Sequence, residues 1–378
     1  MKLKLPLLFA LLAMAASIVG ICLAFYLILS KPSFTPETKA RVVEMMIGSM
    51  KESKSPGMSL GVWMPGRGDF VVQKGFADIV TKRAIKDTDK FRIGSLTKSF
   101  TATVVLQLVD ERKLKLSDKL SKFFPKVRDS NKITIRELLD MTSGLHSYTE
   151  IPWLEKRFIK NRLAPYAPDE LVKIGLSYPS DFKPGKGFHY SNTNYIILGM
   201  LVEKITGREI EDEVKTRIID KLGLTHTYFP KGVSRLTGKY VRGYMIKNGK
   251  LEDWTVQNVS WAWTAGAMVS NLYDLKTYIT ALGDGELLSK KMQKERLSYW
   301  VDMGAKKAPT LKYGLGVFTM GSFVGHNGGM PGYVDMAMYD PKTGSVIVFM
   351  QNIQNEDGPS TLEIFQRILK ILYPRRKT

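Results

Sequence analysis

The chain has 378 residues, of which 44% are hydrophobic and 24% charged. That is enough for one large core or two coupled subdomains, and it excludes a disordered chain or a polytopic membrane protein. Its single cysteine, Cys22, excludes intramolecular disulfides and cysteine-ligated zinc. Lys and Arg outnumber Asp and Glu by 56 to 36, a net charge of +20 that suits anionic surroundings. The basic residues are dispersed along the chain and no nucleic-acid motif accompanies them, so no nucleic-acid partner is expected.

In chain order, Lys2 and Lys4 precede an uncharged run from Leu5 to Leu29. As a helix this run would span about 37 Å, enough to cross a ~30 Å hydrocarbon core. Its end, Tyr26–Lys31, offers no small-x-small cleavage site, and Ile21 stands before Cys22 where a lipoprotein signal needs a small residue. Residues 1–30 therefore read as a transmembrane anchor, with a signal peptide as the alternative. The N-terminal lysines favour a cytoplasmic N-terminus, which places the protein in the cell membrane as a single-pass chain with its folded domain outside the cytoplasm.

Residues 31–54 form a linker and first helix. Thr35-Pro36-Glu37 has the form of an N-cap, a proline at the first helical position and an acidic first turn, and Ser55-Pro56-Gly57 is the stop. Met58–Met64 and Phe70–Ala77 are β-prone runs joined by Pro65–Asp69, a predicted hairpin. Tyr333–Tyr339 and Ser345–Gln351, around Asp340–Gly344, predict a second hairpin. A last amphipathic helix carries Leu362, Phe365, Ile368, Leu369 and Leu372. Between them, helical patterns dominate, including Ser95–Lys113 and Tyr195–Ile205. The fold class expected is α+β: an antiparallel sheet flanked by N- and C-terminal helices, with an all-helical subdomain inserted at about 115–250. The main domain spans 55–373, and 374–378, with Arg375, Arg376 and Lys377, is a basic tail.

Three constellations could carry chemistry. In Phe91-Arg-Ile-Gly-Ser-Leu-Thr-Lys98, Ser95 and Lys98 lie at i and i+3 where the long helix begins, hence on one face. A serine hydroxyl is a poor nucleophile until a base takes its proton, and Lys98 can be that base if burial and the helix dipole depress its pKa. The same helix N-terminus aims N–H groups where an oxyanion would form. Ser180-Asp-Phe-Lys183 repeats the pattern but runs into Pro184-Gly185, a loop with no following helix. Tyr190-Ser-Asn192 offers a tyrosine that, beside a cation, could relay a proton, and an asparagine that could hold a substrate amide through both its donor and its acceptor. Gly325-His-Asn-Gly-Gly329 offers His326 as a titratable positive partner, and Gly328 and Gly329 as points of close backbone approach. His189 reads as structural, and the remaining histidines, His146 and His226, show no metal-ligand spacing or cluster, so no metal site and no cofactor is expected. Gly57–Gly61 mimics a nucleophile elbow but falls inside a strand, and Lys342-Thr-Gly344 falls in a solvent-facing turn.

S-x-x-K, Y-x-N and H-x-G in this order resemble the serine β-lactamase and penicillin-binding protein superfamily. The resemblance is to the branch of class C β-lactamases, D-Ala-D-Ala carboxypeptidases, D-aminopeptidases and family VIII esterases. It covers roughly residues 55–373 and includes Leu139-Asp-Met-Thr-Ser-Gly-Leu145, Pro184–Asn192, Thr264-Ala-Gly-Ala267, Tyr313-Gly-Leu-Gly316 and Gly325–Gly332. It implies Ser95 as the acylated nucleophile, Lys98 as its proton acceptor and Tyr190 as base or relay. Asn192 would bind the substrate amide, and His326 would orient the substrate carboxylate and tune Tyr190. Gly328 and Gly329 would approach the ligand, and the N–H groups of Ser95 and Gly329 would form the oxyanion hole. Histidine in the third motif is similar to carboxypeptidase and D-peptidase members rather than class C β-lactamases. The implied activity is a membrane-anchored D-alanyl-D-alanine carboxypeptidase or D-peptidase on cell-wall peptides, with β-lactams as acylating ligands. The alternatives are an esterase, including one for D-alanyl esters of wall polymers, a β-lactamase, and a non-enzymatic β-lactam receptor or wall-binding protein.

Overall fold

The computed structural model describes residues 34–304, 311–355 and 357–374. The predicted anchor at Leu5–Leu29 and the cluster Arg375, Arg376 and Lys377 lie outside them. No helix among the described residues is long and apolar enough to cross a membrane.

The first helix, α1 (Pro36–Ser53), opens as its sequence predicts: the Thr35 hydroxyl accepts from the Thr38 N–H and Pro36 takes the first turn, where no N–H is needed. It ends at Lys54 in the left-handed region, and the chain turns into β1 (Gly57–Met64) and β2 (Gly68–Asp78), the predicted hairpin, with β3 (Arg83–Ala84) beyond it. The other strands come from the far end of the chain: β4 (Val301–Asp302), β5 (Lys312–Tyr313), β6 (Phe318–Met320), β7 (Phe323–Met330), β8 (Tyr333–Asp340) and β9 (Ser345–Gln351). They form one sheet in the order β4-β5-β6-β7-β8-β9-β1-β2-β3, antiparallel throughout, so β1 closes against β9. All residues of β1 and β9 are buried, as expected where helices cover both faces of a sheet. The last helix, α7 (Thr361–Leu372), packs on α1, while α6 (Leu272–Asp284) lies along β8 and β9.

The inserted part holds α2 (Thr97–Asp110), α3 (Pro152–Lys160), α4 (Pro168–Leu176) and α5 (Asn192–Thr206), the last stopped by Gly207 at φ 70°. It is not helical as far as residue 250. Tyr244–Lys247 and Lys250–Asp253 form a hairpin, with Ile353–Gln354 added in parallel. Its turn is Asn248-Gly249, both at positive φ (51° and 75°), the two-residue turn whose twist matches that of paired strands. The helical subdomain thus ends near Leu222, and a small β unit returns the chain to the main sheet.

Candidate active site

Ser95 sits in a single 3₁₀ turn, Gly94–Leu96, that feeds α2. Gly94 has φ 44°, and a β-carbon there would stand 2.6 Å from the Gly329 nitrogen and 2.7 Å from its oxygen, so only glycine lets this turn press onto β7. One helical turn on, Lys98 is fully buried. Its Nζ donates to Ser95 Oγ at 2.9 Å and to the Ala265 carbonyl at 2.7 Å. Ala265 lies in the short helix Trp263–Gly266. That helix is tied in place by Thr101 Oγ1 donating to the Thr264 carbonyl and by Thr264 Oγ1 donating to the Tyr195 carbonyl. Burial drives the Lys98 ammonium well below its usual 10.5, because a charged amine there has lost its water.

Tyr190 lies across this pair. Its ring centroid is 4.8 Å from Lys98 Nζ, and its phenol and Ser95 line the same cavity. Burial pushes the Tyr190 phenol upward, against the expectation that a neighbouring cation would ease its ionisation. Neutral amine with neutral phenol carries the same protons as an ammonium–phenolate pair and avoids desolvating two charges. The Tyr190 loop is pinned from below by the Leu139–Leu145 segment. His189 N–H donates to the Met141 carbonyl at 3.1 Å, Ser191 N–H meets Met141 Sδ, and Ser143 Oγ donates to Asn194 Oδ1 at 2.7 Å. Asn192 opens α5, and its Nδ2 donates to Thr149 Oγ1 at 2.8 Å.

Strand alternation divides the third motif. In β7, Asn327 and Gly329 face a cavity of about 300 Å³ over Ser95 and Tyr190, whose remaining walls are Met303, Leu311, Tyr313, Phe318 and Leu362. His326 and Gly328 point the other way. His326 has no solvent exposure, and its Nδ1 lies 2.6 Å from the Asn327 carbonyl and so must donate. That leaves Nε2 to accept from the Tyr313 hydroxyl at 3.0 Å. Burial pushes its pKa down to about 3. His326 is thus a buried imidazole behind Tyr313, its ring centroid 6.2 Å from that of Tyr190, and it does not line the cavity where it was expected to meet the substrate carboxylate. Gly328 is likewise a packing position, not a cavity wall, since a β-carbon there would meet the Ile93 carbonyl at 2.2 Å and Asp335 Oδ1 at 2.4 Å. Asn327, which the sequence reading passed over, faces the cavity and is steadied by Nδ2 donating to Thr361 Oγ1 at 2.9 Å; its place between the two named residues was the available signal. Gly329 has open space before it and its backbone lies against Gly94.

A second cavity, about 550 Å³, meets the first at Gly329. Its walls include Leu154, Phe158, Tyr166, Trp254 and Trp261, with Thr149 at the Asn192 side and Glu155 and Asp357 also lining it. Phe158 stands 5.9 Å from Trp254 and 4.9 Å from Trp261, so aromatic residues about a hundred positions apart in sequence form one wall.

A buried amine of lowered basicity touching a serine hydroxyl, a phenol lining the same cavity and a glycine strand edge beside a helix N-terminus can together generate an alkoxide and receive an oxyanion. A family model described as Beta-lactamase matches residues 42–369. The chain belongs to the β-lactamase family. A penicillin-binding protein of Bacillus subtilis (strain 168) is 28% identical over 314 residues, 78% of this chain and 67% of that protein. Among solved structures, a D-stereospecific amidohydrolase from Streptomyces sp. is 30% identical with a TM-score of 0.79, covering 88% of this chain and 98% of its own. The D-amino acid amidase of Ochrobactrum anthropi SV3, complexed with L-phenylalanine amide, is 26% identical with a TM-score of 0.80, covering 90% and 100%. This β-lactamase-family chain is a serine hydrolase.

One further cluster lies beside this site. His146, expected in no cluster, and His189, expected to be structural, are brought together with Glu150 and Asp181 beside the Tyr190 loop. The expectation of no clustered histidines is overturned by tertiary contact.

Proposed function

We propose that Ser95 is the nucleophile of a D-stereospecific peptidase or amidase that acts on D-alanyl peptides of the cell wall and is acylated by penicillins. The observation that carries this reading is the buried Lys98 amine on Ser95 Oγ at 2.9 Å. Lys98 takes the hydroxyl proton as Ser95 attacks the acyl carbon, and the Ser95 and Gly329 N–H groups receive the oxyanion. The proton taken by Lys98 passes by way of Tyr190 to the departing amine, which leaves both groups neutral; water then attacks the acyl-enzyme and returns its proton along the same route to Ser95 Oγ. Asn192, steadied by Thr149, holds the substrate amide at the entrance to the aromatic cavity. The likeness to the D-stereospecific amidohydrolase and D-amino acid amidase supports this class over a β-lactamase. We further propose the extracytoplasmic face of the membrane as the site of action, with residues 1–30 as the anchor.

The aromatic cavity favours a second reading within the same chemistry. Phe158, Trp254 and Trp261 suit a large apolar acyl side chain, and Glu155 suits a free amino group on it, as in an aromatic D-amino acid amide or ester. Competition between a D-Ala-D-Ala peptide, D-phenylalanine amide, a D-alanyl ester and a chromogenic cephalosporin separates these. Release of D-alanine with the highest kcat/KM supports the first reading, and preference for the aromatic amide supports the second. Preference for the L-enantiomers or for the cephalosporin would contradict both.

A further inference from the structure

Beside the catalytic loop, one carboxylate grips two imidazoles. Asp181 Oδ1 lies 2.8 Å from His146 Nδ1, and Asp181 Oδ2 bonds His189 Nδ1. With both Nδ1 atoms held by Asp181 the two rings are oriented, the arrangement in which a carboxylate fixes a metal-binding histidine, and without an ion His189 Nε2 is bonded to Glu150. His189 Nε2 points at Glu150 Oε1, 3.0 Å away. One ligand atom each from His146, Glu150 and His189 lie within 4.8 Å of one another. Ligands around a tetrahedral ion with bonds of about 2.1 Å stand about 3.4 Å apart, so small rotations of these chains close the site. The His146 ring is further fixed by stacking on Tyr178, at 5.1 Å and 12°.

We infer that His146, His189 and Glu150 form a binding site for a divalent transition-metal ion such as Zn²⁺, with Asp181 behind the two imidazoles and a fourth position open to water. Two imidazoles and one carboxylate are the donor set of borderline metals rather than of Mg²⁺ or Ca²⁺. The site joins the segment of Glu150, next to Thr149 that holds Asn192, to His189, next to Tyr190. A bound ion would cross-link the two stretches of chain that place Tyr190 and Asn192. The site stands on its own residues and does not depend on which substrate Ser95 takes.

The test uses the full chain, stripped with chelator and titrated with Co²⁺ and then Zn²⁺. Visible absorption of four-coordinate Co²⁺ should appear at one equivalent, and Zn²⁺ should displace it. Glu150→Gln, a change at an exposed side chain, and His146→Ala should each abolish the spectrum. Asp181→Asn should weaken binding about 10–100-fold, and Ser95→Ala should leave it intact. Thermal melting of each variant without metal distinguishes a lost ligand from a lost fold. No one-equivalent Co²⁺ spectrum in the unaltered chain, or an unchanged spectrum in folded Glu150→Gln and His146→Ala, would overturn the site and leave the cluster as a hydrogen-bond network.

Discussion

At Lys98 a basic residue is valuable because it has been made less basic. Burial removes the water that would stabilise an ammonium, and the amine stays available to take the Ser95 proton. The rate of acylation should therefore rise with pH and level off well below pH 10.5, the value for a solvated lysine. Lys98→Met should lower it by about 10²–10⁴-fold, the usual scale of general-base assistance; stopped-flow acylation across pH checks both. His326 shifts in the same direction with a different consequence. Its folded pKa of about 3 lies below the ordinary 6.5, so the unfolded chain binds the extra proton first. Its contribution to stability is complete above pH 6.5 and is lost as the pH falls toward 3. His326→Gln should flatten the decline in melting temperature between pH 6.5 and 4, and a slope equal to that of the unaltered chain would contradict a buried neutral imidazole. Ser95, Lys98 and Tyr190 were legible as a spacing on a helix start and a loop. The inward turn of His326 was not, since H-x-G sets His326 and Gly328 on one face of a strand without saying which face looks to the cavity.

At the scale of elements, the site is a junction between the 3₁₀ turn of Ser95 and the edge of β7, and glycines permit the approach. Gly328→Ala would drive a methyl group into the Ile93 carbonyl, two residues before Ser95. It should cost about 1–3 kcal/mol of stability and also slow acylation, measured by denaturant melts beside penicillin labelling. A change in melting alone would mean that the junction does not set the position of Ser95. The hairpins of β1–β2 and β8–β9 could be read from their turns because each has apolar runs on both sides. Tyr244–Asp253 could not be read from periodicity, as its strands are half exposed and carry Lys247, Lys250, Glu252 and Asp253. Only Asn248-Gly249 marked it. The pairing of His146 with His189 had no local signal at all, because the contact is made by folding the Leu139–Glu150 segment against the Tyr190 loop.

For the whole molecule, the first and last thirds of the chain form a single sheet, with β1 between β9 and β2 and α1 against α7. The catalytic strand β7 therefore depends on the C-terminal helix. Phe365 of α7 is fully buried and meets Phe323 of β7 edge-on at 5.4 Å. Phe365→Ala should lower stability by about 3–5 kcal/mol, read from urea unfolding, although it lies away from the cavities. A loss under about 1 kcal/mol would mean that α7 is only loosely docked.

The central claim is an acyl-enzyme at Ser95, and intact mass spectrometry after incubation with a fluorescent penicillin tests it most directly. The protein should gain the mass of one penicillin, with the label on Ser95 and none on Ser95→Ala. Either an unlabelled protein that also fails to turn over the drug or any short ester, or equal labelling of Ser95→Ala, would contradict it.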